Sequence, residues 1–271
     1  MSLTLVAPSP LHPTTPSYAA ALAELSSVSL ETLAAQAGRM TRIDRKYVIP
    51  ADDLDAVFGS TAHEAVALEI DGRRTFGYSS IYFDTPDLRS FHDGGRRRRR
   101  RFKVRTRSYL DSDLHFLEVK TRGARGTTVK ERQSLPHPVH GGLDPAGQKF
   151  VATTLAAHGI PDLDPRDLHP TLEVTYRRST LAFLSAGHRT TVDTDVRWTA
   201  QDGIRAFVEK VAVVETKAGS TPTAVDRALW RLGHRPMQIS KYGTGMVTTH
   251  ADLPHLKWHR TLTNPLLAHA S

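Results

Sequence analysis

The sequence predicts an α+β fold built around an antiparallel β-sheet. Ten short segments are rich in β-branched and aromatic residues, and turn signals such as Asp71-Gly72 and Asp202-Gly203 separate several of them. Helical segments interrupt these strands without alternating with them, which is typical of antiparallel α+β proteins and not of doubly wound ones. The chain has 271 residues, of which 39% are hydrophobic, so it is long enough to bury a substantial core.

The predicted elements follow a proline-rich leader, residues 1–16, which we expect to be flexible. Apolar residues at helical spacing predict a helix over Tyr18–Ala37, with Gly38 as its stop. The predicted strands are Thr41–Ile49, Val66–Ile70, Tyr78–Phe83, Arg100–Tyr109, Leu114–Thr121, Thr127–Leu135, Thr171–Leu181, Arg189–Val196, Val211–Lys217 and a short strand near Met237–Lys241. The predicted helices among them are Asp52–Phe58, Asp144–His158 and Thr223–Leu232. We assign residues 17–250 to one domain and residues 251–271 to a C-terminal tail without assigned structure.

The composition narrows the class of protein. Lysine and arginine outnumber aspartate and glutamate by 36 to 28, so a polyanion is the first partner to consider. The absence of cysteine excludes disulfides, thiolate metal sites and a cysteine nucleophile. No apolar run approaches the ~18 residues that a membrane helix needs, and the N-terminus lacks the basic segment of a signal peptide. These features predict a soluble cytoplasmic protein.

Charged side chains share one face of several predicted strands, because residues i, i+2 and i+4 of a strand point the same way. The shared faces carry Arg42, Asp44 and Lys46; Arg101, Lys103, Arg105 and Arg107; Glu118, Lys120 and Arg122; Thr128, Lys130 and Arg132; Arg189, Thr191, Asp193 and Asp195; and Glu215 with Lys217. The opposite faces carry apolar residues such as Tyr47, Val104 and Val119.

These charged faces have two interpretations. The face of an antiparallel sheet that is exposed to water accounts for any single strand. If the sheet closes into a barrel, the same face becomes a lumen lined by roughly ten cations, and helices cover the apolar outside. Such a lumen is costly unless a polyanion neutralises it, and the interleaved carboxylates suit a divalent cation that bridges to phosphates.

Other motifs carry weaker signals. The run Arg96–Arg101 is either a nucleic-acid patch or a solvated hairpin arm. His137 and His140 have a metal-like spacing, but Pro138 places them in a loop, which disfavours a zinc site. The sequence has no P-loop, dinucleotide fingerprint or nucleophile elbow, so any nucleotide must be held by side-chain cations.

Nine ordered motifs resemble the VTC-type polyphosphate polymerase domain, a branch of the triphosphate tunnel metalloenzyme (CYTH-like) superfamily. They are R-I-D-R-K-Y (42–47), S-S-I-Y-F-D-T-P (79–86), K-V-R-T-R-S-Y (103–109), L-E-V-K-T-R (117–122), V-K-E-R (129–132), T-Y-R-R-S (175–179), R-T-T-V-D-T-D (189–195), V-E-T-K (214–217) and I-S-K-Y-G-T-G (239–245). The resemblance implies an eight-stranded antiparallel β-tunnel, a barrel with helices packed outside. It also implies binding of ATP and polyphosphate with Mn²⁺ or Mg²⁺.

The resemblance further implies roles for individual residues. The implied phosphate-binding residues are Lys46, Arg105, Arg107, Lys120, Lys130, Arg178, Arg189, Ser240 and Lys241, and the implied catalytic residues among them are Lys46, Arg105, Arg107, Lys120 and Arg189. Glu215 is the implied metal ligand, and the alternative for this carboxylate is an ion pair with Lys217 or a neighbouring arginine. Arg178 is preferred to Arg177 because the family pattern is Tyr-x-Arg, a choice that strand parity does not decide. The first strand departs from the superfamily's ExExK pattern, which disfavours hydrolysis by two metal ions at this end.

The reaction that the resemblance implies is transfer of the terminal phosphoryl group of ATP to a polyphosphate chain, with release of ADP and no covalent nucleophile. One alternative is a tunnel-type triphosphatase acting on inorganic triphosphate or an organic triphosphate such as thiamine triphosphate. The other is a non-catalytic binder of polyphosphate or nucleic acid. Nucleic acid is not expected as a partner, because the basic strand positions lack aromatic platforms for stacking bases. Whether a membrane partner receives the product stays open.

Overall fold

The computed structural model describes residues 16–37, 43–123 and 128–268. Most of the predicted leader, the predicted helix stop Gly38, Thr41 and Arg42 of the first predicted strand, and Thr127 lie outside the described residues. The strands are β1 (Ser26–Val28), β2 (Ile43–Pro50), β3 (Val66–Leu68), β4 (Thr75–Asp84), β5 (Phe102–Tyr109), β6 (Leu114–Arg122), β7 (Thr128–Leu135), β8 (His169–Phe183), β9 (His188–Ala200), β10 (Arg205–Phe207) and β11 (Val211–Ala218).

The helices lie between and after these strands. They are α1 (Pro16–Glu24), α2 (Leu30–Ala37), α3 (Leu54–Gly59), α4 (Arg89–Gly95), α5 (Pro145–Ala157), α6 (Ala224–Arg231), α7 (Lys241–Thr249), α8 (His259–Leu262) and α9 (Pro265–Ala268). Short 3₁₀ turns lie at Ala51–Asp53, Ala62–Glu64, Pro165–Asp167 and Leu256–Trp258.

Eight strands form one antiparallel ladder in the order β2-β11-β9-β8-β4-β5-β6-β7. This confirms the predicted α+β class and the antiparallel eight-stranded tunnel architecture. Within the described residues no pairing joins the edge strands β2 and β7, so the barrel is open along one seam. The short strands β1, β3 and β10 extend the sheet beside β8 and β9.

The apolar strand faces pack against helices outside the barrel. Val104 of β5 and Leu117 of β6 are fully buried against Val151 and Leu155 of α5. On the other side, Tyr47 and its neighbours in β2 form a second cluster with α3 and α6. The alternation of the strands therefore turns the charged faces inward, as the barrel interpretation predicts.

Helix α7 fills one end of the barrel. Along the inner face of β2 the residue after Lys46 at the same parity is Val48, and on β11 Val213 precedes Glu215 in the same way. Val48 and Val213 belong to a buried cluster with Met246 of α7. The inner faces of these strands thus change from charged to apolar where α7 covers them.

Buried polar contacts and two glycines fix the position of α7. The Asp84 carboxylate at the end of β4 accepts hydrogen bonds from the backbone N–H groups of Ser90 and Phe91 and from the Tyr242 hydroxyl, at 2.7, 2.9 and 2.5 Å. Glycine is required where α7 approaches aromatic rings, because a Cβ at Gly243 would overlap the Trp258 ring. A Cβ at Gly245 would overlap the Trp198 ring and lie 2.7 Å from Leu172.

Three predictions of local structure are wrong. The segment Tyr18–Ala37 is not one helix, because Ser26–Val28 forms β1 beside β3 and the Ser29 hydroxyl then accepts the Thr32 N–H at the start of α2. The predicted strand at Met237–Lys241 is an irregular segment whose Ser240 caps α7 by accepting the Gly243 N–H. The glycine pair Gly94-Gly95 predicts a turn, but both residues lie in helix α4.

The segment after Leu253, which the sequence left unassigned, packs on the barrel. Trp258 is buried against Phe91, and Leu267 joins the cluster beneath α7. No helix in the described part of the chain is long and apolar enough to cross a membrane.

The packing of α7 predicts opposite effects for alanine at two helical glycines. Gly245→Ala should destabilise the protein by about 1–3 kcal/mol and lower the Tm by several degrees, because the methyl group overlaps Trp198. Gly94→Ala meets no atom within 4 Å and should be neutral or stabilise by up to about 1 kcal/mol. Thermal unfolding of both variants checks this, and equal Tm values would contradict the close packing of α7.

Candidate active site

The inner faces of the ladder surround one cavity of about 640 Å³. Each of the eight ladder strands contributes at least one lining side chain, so the sheet curves around the cavity. Eleven cations of the described residues line it: Lys46, Lys103, Arg105, Arg107, Lys120, Lys130, Arg178, Arg189, Lys217, Lys241 and Lys257. The charged faces at these positions are therefore not a flat sheet surface exposed to water, and that interpretation is wrong for them.

The structure brings all ten sequence-predicted site residues to this cavity. They are Lys46, Arg105, Arg107, Lys120, Lys130, Arg178, Arg189, Ser240, Lys241 and Glu215. Their roles as ligands of phosphate or metal stay predictions. Three further cations were missed as site residues. Strand parity could have found Lys103 and Lys217, whereas Lys257 lies in a tail without periodicity and gave no signal.

A buried carboxylate holds the cations on the β5–β6 side. The Arg105 guanidinium donates to Glu118 from Nε at 2.7 Å and from Nη2 at 2.5 Å, and Lys130 donates to the other oxygen at 3.2 Å. Burial alone would raise the pKa of Glu118, but Arg105 and the surrounding cations outweigh it and hold the pKa well below its usual range. Glu118 is therefore ionised, and it fixes the orientation of Arg105.

A second buried carboxylate has the same function on the β8–β9 side. Arg178 binds Asp193 in a bidentate pair, with N–O distances of 2.5 and 2.7 Å, and Lys241 donates to the same carboxylate. Burial would raise the pKa of Asp193, but Arg178 and Lys241 lower it to about 2. Arg178 lines the cavity and Arg177 does not, which agrees with the choice that the family pattern made.

Glu215 lies between two lysines. Its carboxylate is 3.0 Å from the ammonium groups of both Lys46 and Lys217. Burial would raise its pKa, but Lys217 and Lys46 hold the pKa well below the usual range. The sequence left open an ion pair with Lys217 as the alternative to metal binding, and the structure shows this ion pair.

Tyrosines form part of the cavity wall, which the pattern of basic residues on the strands did not predict. Tyr78 and Tyr176 stack with ring centroids 5.2 Å apart, and the Arg178 guanidinium lies over both rings. Arg107 donates to the Tyr176 hydroxyl at 2.9 Å, and Arg105 donates to that of Tyr82 at 3.0 Å. These rings cover the flat faces of the guanidinium groups, and the groups keep donors for a ligand.

Several cations have no carboxylate partner. Among the described residues no carboxylate lies within ion-pair distance of Lys103, Lys120 or Arg107. Burial, with Lys257 and Arg105 nearby, lowers the pKa of Lys103 to about 7. Arg105 and burial lower the pKa of Lys120 well below its usual range. An anion in the cavity would relieve this repulsion, so the cavity favours anion binding.

A divalent metal would find two carboxylates at one end of the cavity. Asp44 lies on β2 beside Glu215 of β11, and no group of three His, Cys, Asp or Glu side chains suited to a metal exists in the described ranges. Burial raises the pKa of Asp44, Lys217 opposes this, and the Glu215 charge adds to the rise. These donors fit an ion that takes its other ligands from phosphate oxygens, and they do not fit an ion held by protein alone.

The geometry agrees with a sequence comparison. The profile of the VTC domain family matches residues 41–250, which is most of the chain. The chain belongs to the VTC domain family. A sequence comparison with curated proteins gave no match.

Solved structures similar to this VTC domain are remote in sequence. A candidate adenylate cyclase from Bacillus halodurans is 12% identical, with coverage of 74% of this chain and 96% of that one and a TM-score of 0.46. The protein PH1819 of Pyrococcus horikoshii is 14% identical, with coverage of 75% and 97% and a TM-score of 0.41. HpAC1 of Hippeastrum, described as having a dominant triphosphatase activity, is 14% identical, with coverage of 80% and 99% and a TM-score of 0.40. At these scores the similarity carries no conclusion about function.

The low pKa of Lys103 predicts that this VTC domain takes up a proton when it binds an anion near neutral pH. Lys103 is charged below about pH 7 and neutral above it, so tripolyphosphate affinity should fall as the pH rises through that value. Lys103→Arg keeps its positive charge over this pH range. Its tripolyphosphate affinity should therefore fall less steeply with pH than that of wild type, by up to about tenfold less per pH unit. Calorimetry from pH 6 to 9, in buffers of different ionisation enthalpy, measures both effects.

Lys130→Arg is the matched control for this experiment, because the Lys130 side chain is 42% exposed. It should keep the wild-type pH profile, and the ionisation of tripolyphosphate itself is common to all variants. A wild-type pH profile for Lys103→Arg would contradict the assignment.

Proposed function

We propose that this VTC domain is a polyphosphate polymerase that transfers the terminal phosphoryl group of ATP to a polyphosphate chain. The observation that carries the proposal is the cavity itself, in which eleven cations face only four carboxylates, those of Asp44, Glu118, Asp193 and Glu215, among the described residues. Two of the four, Glu118 and Asp193, already form ion pairs with lining cations. The remaining positive charge fits a ligand with many phosphates better than it fits a single carboxylate or phosphate.

The arginines and the lysines have different roles because their side chains differ in chemistry. Arg105 and Arg178 are held by carboxylates and aromatic rings, so they meet the equatorial oxygens of a phosphoryl group without reorganisation. Lysines such as Lys46 and Lys120 act as mobile point charges that neutralise the chain on either side. Phosphoryl transfer needs positioning and charge stabilisation more than covalent chemistry, and the cavity supplies both.

Asp44 and Glu215 would hold the divalent ion, Mn²⁺ or Mg²⁺, together with phosphate oxygens of the substrate. When bound, the ion would neutralise phosphate charge as a Lewis acid. Glu215 would exchange its contacts with Lys46 and Lys217 for this ion, which frees both ammonium groups for phosphate. ATP as the donor agrees with a cytoplasmic site of action, which a chain without cysteine also permits.

Hydrolysis of a triphosphate is the second candidate function, and the pairing of Asp44 with Glu215 favours it. Two neighbouring carboxylates can orient a water molecule or a second ion as well as one phosphate-bound ion. The first strand still lacks the two glutamates of the hydrolytic pattern, since it offers Asp44 and Lys46. The two reactions share every lining cation and differ only in the acceptor, which is a chain end or water.

Product analysis separates these functions. Incubation with ATP and Mn²⁺ should give ADP and acid-stable phosphate chains, because the tunnel holds the chain end against the donor. Arg107→Ala should reduce the rate at least tenfold. The substitution removes from the cavity a charged donor that has no carboxylate partner among the described residues and is therefore available to phosphate. Free phosphate as the main product would establish the triphosphatase, and tight polyphosphate binding without turnover would establish a binding protein.

The metal assignment predicts the behaviour of Glu215→Gln. The variant keeps the shape and removes one negative charge, so metal-free polyphosphate binding should tighten severalfold. Turnover with Mn²⁺ should fall by about two orders of magnitude. Binding is measured by calorimetry, and turnover by ADP release over a range of Mn²⁺ concentrations.

Glu118→Gln is the control, because Glu118 has its oxygens on Arg105 and Lys130. It should leave the Mn²⁺ concentration for half-maximal turnover unchanged. Near-normal turnover of folded Glu215→Gln would show that this carboxylate serves only its ion pairs.

A further inference from the structure

The arginine run of residues 96–101 is a fixed surface element outside the cavity. It joins α4 to β5, so the predicted hairpin arm is wrong, although Arg96–Arg100 are all exposed. The Arg96 N–H donates to the His92 carbonyl and the Arg98 N–H to the Asp93 carbonyl, both at 2.9 Å. Arg97 has a φ of +57°, which turns the chain after the helix. The run therefore presents its side chains from an ordered turn.

The inner face of β5 and β6 continues into this run. Lys103 pairs with Lys120 in the register of the two strands, and Arg101 and Arg122 follow one step further on the same face. The alternating positions Arg105, Lys103 and Arg101 cover about 14 Å along the strand, at about 3.4 Å per residue. Positive charge thus extends without interruption from the cavity to the end of the strands.

The other side of the barrel does not share this feature. At the end covered by α7, the inner faces of β2 and β11 carry Val48 and Val213, and those of β8 and β9 carry Val174 and Trp198. All four residues are buried in the cluster beneath α7. By contrast, β5 and β6 keep cations on the inner face up to the surface at this end.

Lys257 connects the cavity to the surface arginines. It lines the cavity and donates to the Gly94 carbonyl at 2.5 Å. Burial lowers its pKa to about 8, and Arg101, Arg97 and Arg122 add to the effect, so these four cations lie within electrostatic reach of one another. We name the six residues Arg97, Arg99, Arg100, Arg101, Arg122 and Lys257 the basic rim.

The basic rim has its own surface cavity and little competing charge. Arg99, Arg100 and Arg122 line a cavity of about 310 Å³ beside His158. In the described part of the chain no carboxylate lies within 4.0 Å of a rim cation: Asp93 and Asp162 pair with Arg89, and Glu131 pairs with His158. None of the residues that line this cavity is Phe, Tyr or Trp, so it offers phosphate contacts without a stacking platform for bases.

We propose that the basic rim binds the part of a linear polyphosphate chain that extends beyond the tunnel. This inference rests on the proposed function and adds a second, length-dependent site to it. A triphosphate bound among Arg105, Arg107 and Arg178 does not need the rim, whereas a long chain gains contacts there as an intramolecular event. The rim therefore raises affinity for long chains and keeps a growing product attached.

The experiment compares Arg99→Gln/Arg100→Gln with a control, Arg205→Gln/Arg231→Gln. The control removes two exposed arginines that do not belong to the basic rim and do not line either cavity. Binding of tripolyphosphate and of polyphosphate with about 60 phosphates is measured by calorimetry at several salt concentrations. The rim variant should bind the long chain about tenfold more weakly, with a slope of log K against log salt that is shallower by about 1 to 1.5. It should bind tripolyphosphate within twofold of wild type, and the control should bind both as wild type does, within about twofold.

Three outcomes would overturn the inference. They are equal long-chain affinity for the rim and control variants, an equal loss of tripolyphosphate and long-chain binding, or tighter rim-dependent binding of single-stranded DNA than of polyphosphate. The last would assign the rim to nucleic acid. If wild type fails to bind tripolyphosphate, the proposed function fails. If tripolyphosphate binding is intact and depends on Arg107 but chain length has no effect, the rim alone fails.

Discussion

Repulsion among cations in a confined space is the constraint on which this structure depends. Curving the sheet brings cations from eight strands to one cavity, where low dielectric strengthens their repulsion. Two fully buried carboxylates reduce it: Glu118 lies between Arg105 of β5 and Lys130 of β7, and Asp193 lies between Arg178 of β8 and Lys241 of α7. Removing either carboxylate would leave a buried guanidinium unpaired, which is the costliest change to such a pair.

The two carboxylates relieve only part of the repulsion. Lys103 and Lys120 have lowered pKa values because neighbouring cations and burial disfavour their charge. A bound polyanion would reverse both effects, since its oxygens would solvate the ammonium groups and its charge would attract them. The fold thus holds some cations rigidly through Glu118 and Asp193 and keeps others under electrostatic stress that an anion relieves.

The sequence predicted the strands and the inward cations well because both follow from a period of two. Lys46, Arg105, Lys120 and Glu215 could be placed on one face from parity alone, and the family motifs selected Arg178 where a bulge between Thr175 and Arg177 disturbs the register with β9. Features without a period were missed. Lys257 reaches the cavity from a non-repetitive tail.

The start of α7 depends on a distant contact that no local pattern reveals. Its first residue, Lys241, falls in the short strand predicted near Met237–Lys241. The helix begins there because Ser240 caps it and because the Tyr242 hydroxyl reaches Asp84, 158 positions earlier. The roles of the site residues are implied by the family resemblance and stay predictions, because neither parity nor geometry alone assigns them.

Helix α7 joins stability to the site in one element. Its glycines let it pack against Trp198 and Trp258, which fixes its depth in the barrel, and its first turn then places Ser240 against Lys103 at 2.7 Å. Lys241 reaches Asp193 from the same turn. A displacement of α7, such as an added methyl group would cause, would therefore move Ser240 and Lys241 together. The same helix packs against the apolar end of the barrel and contacts its charged part. Helix α7 packs on the inner faces of β2, β11, β9 and β8 and on Tyr82 of β4, and the charged lining continues along β5 and β6 to the surface. The same packing that stabilises one end of the barrel thus leaves the cationic lining continuous to the surface along β5 and β6.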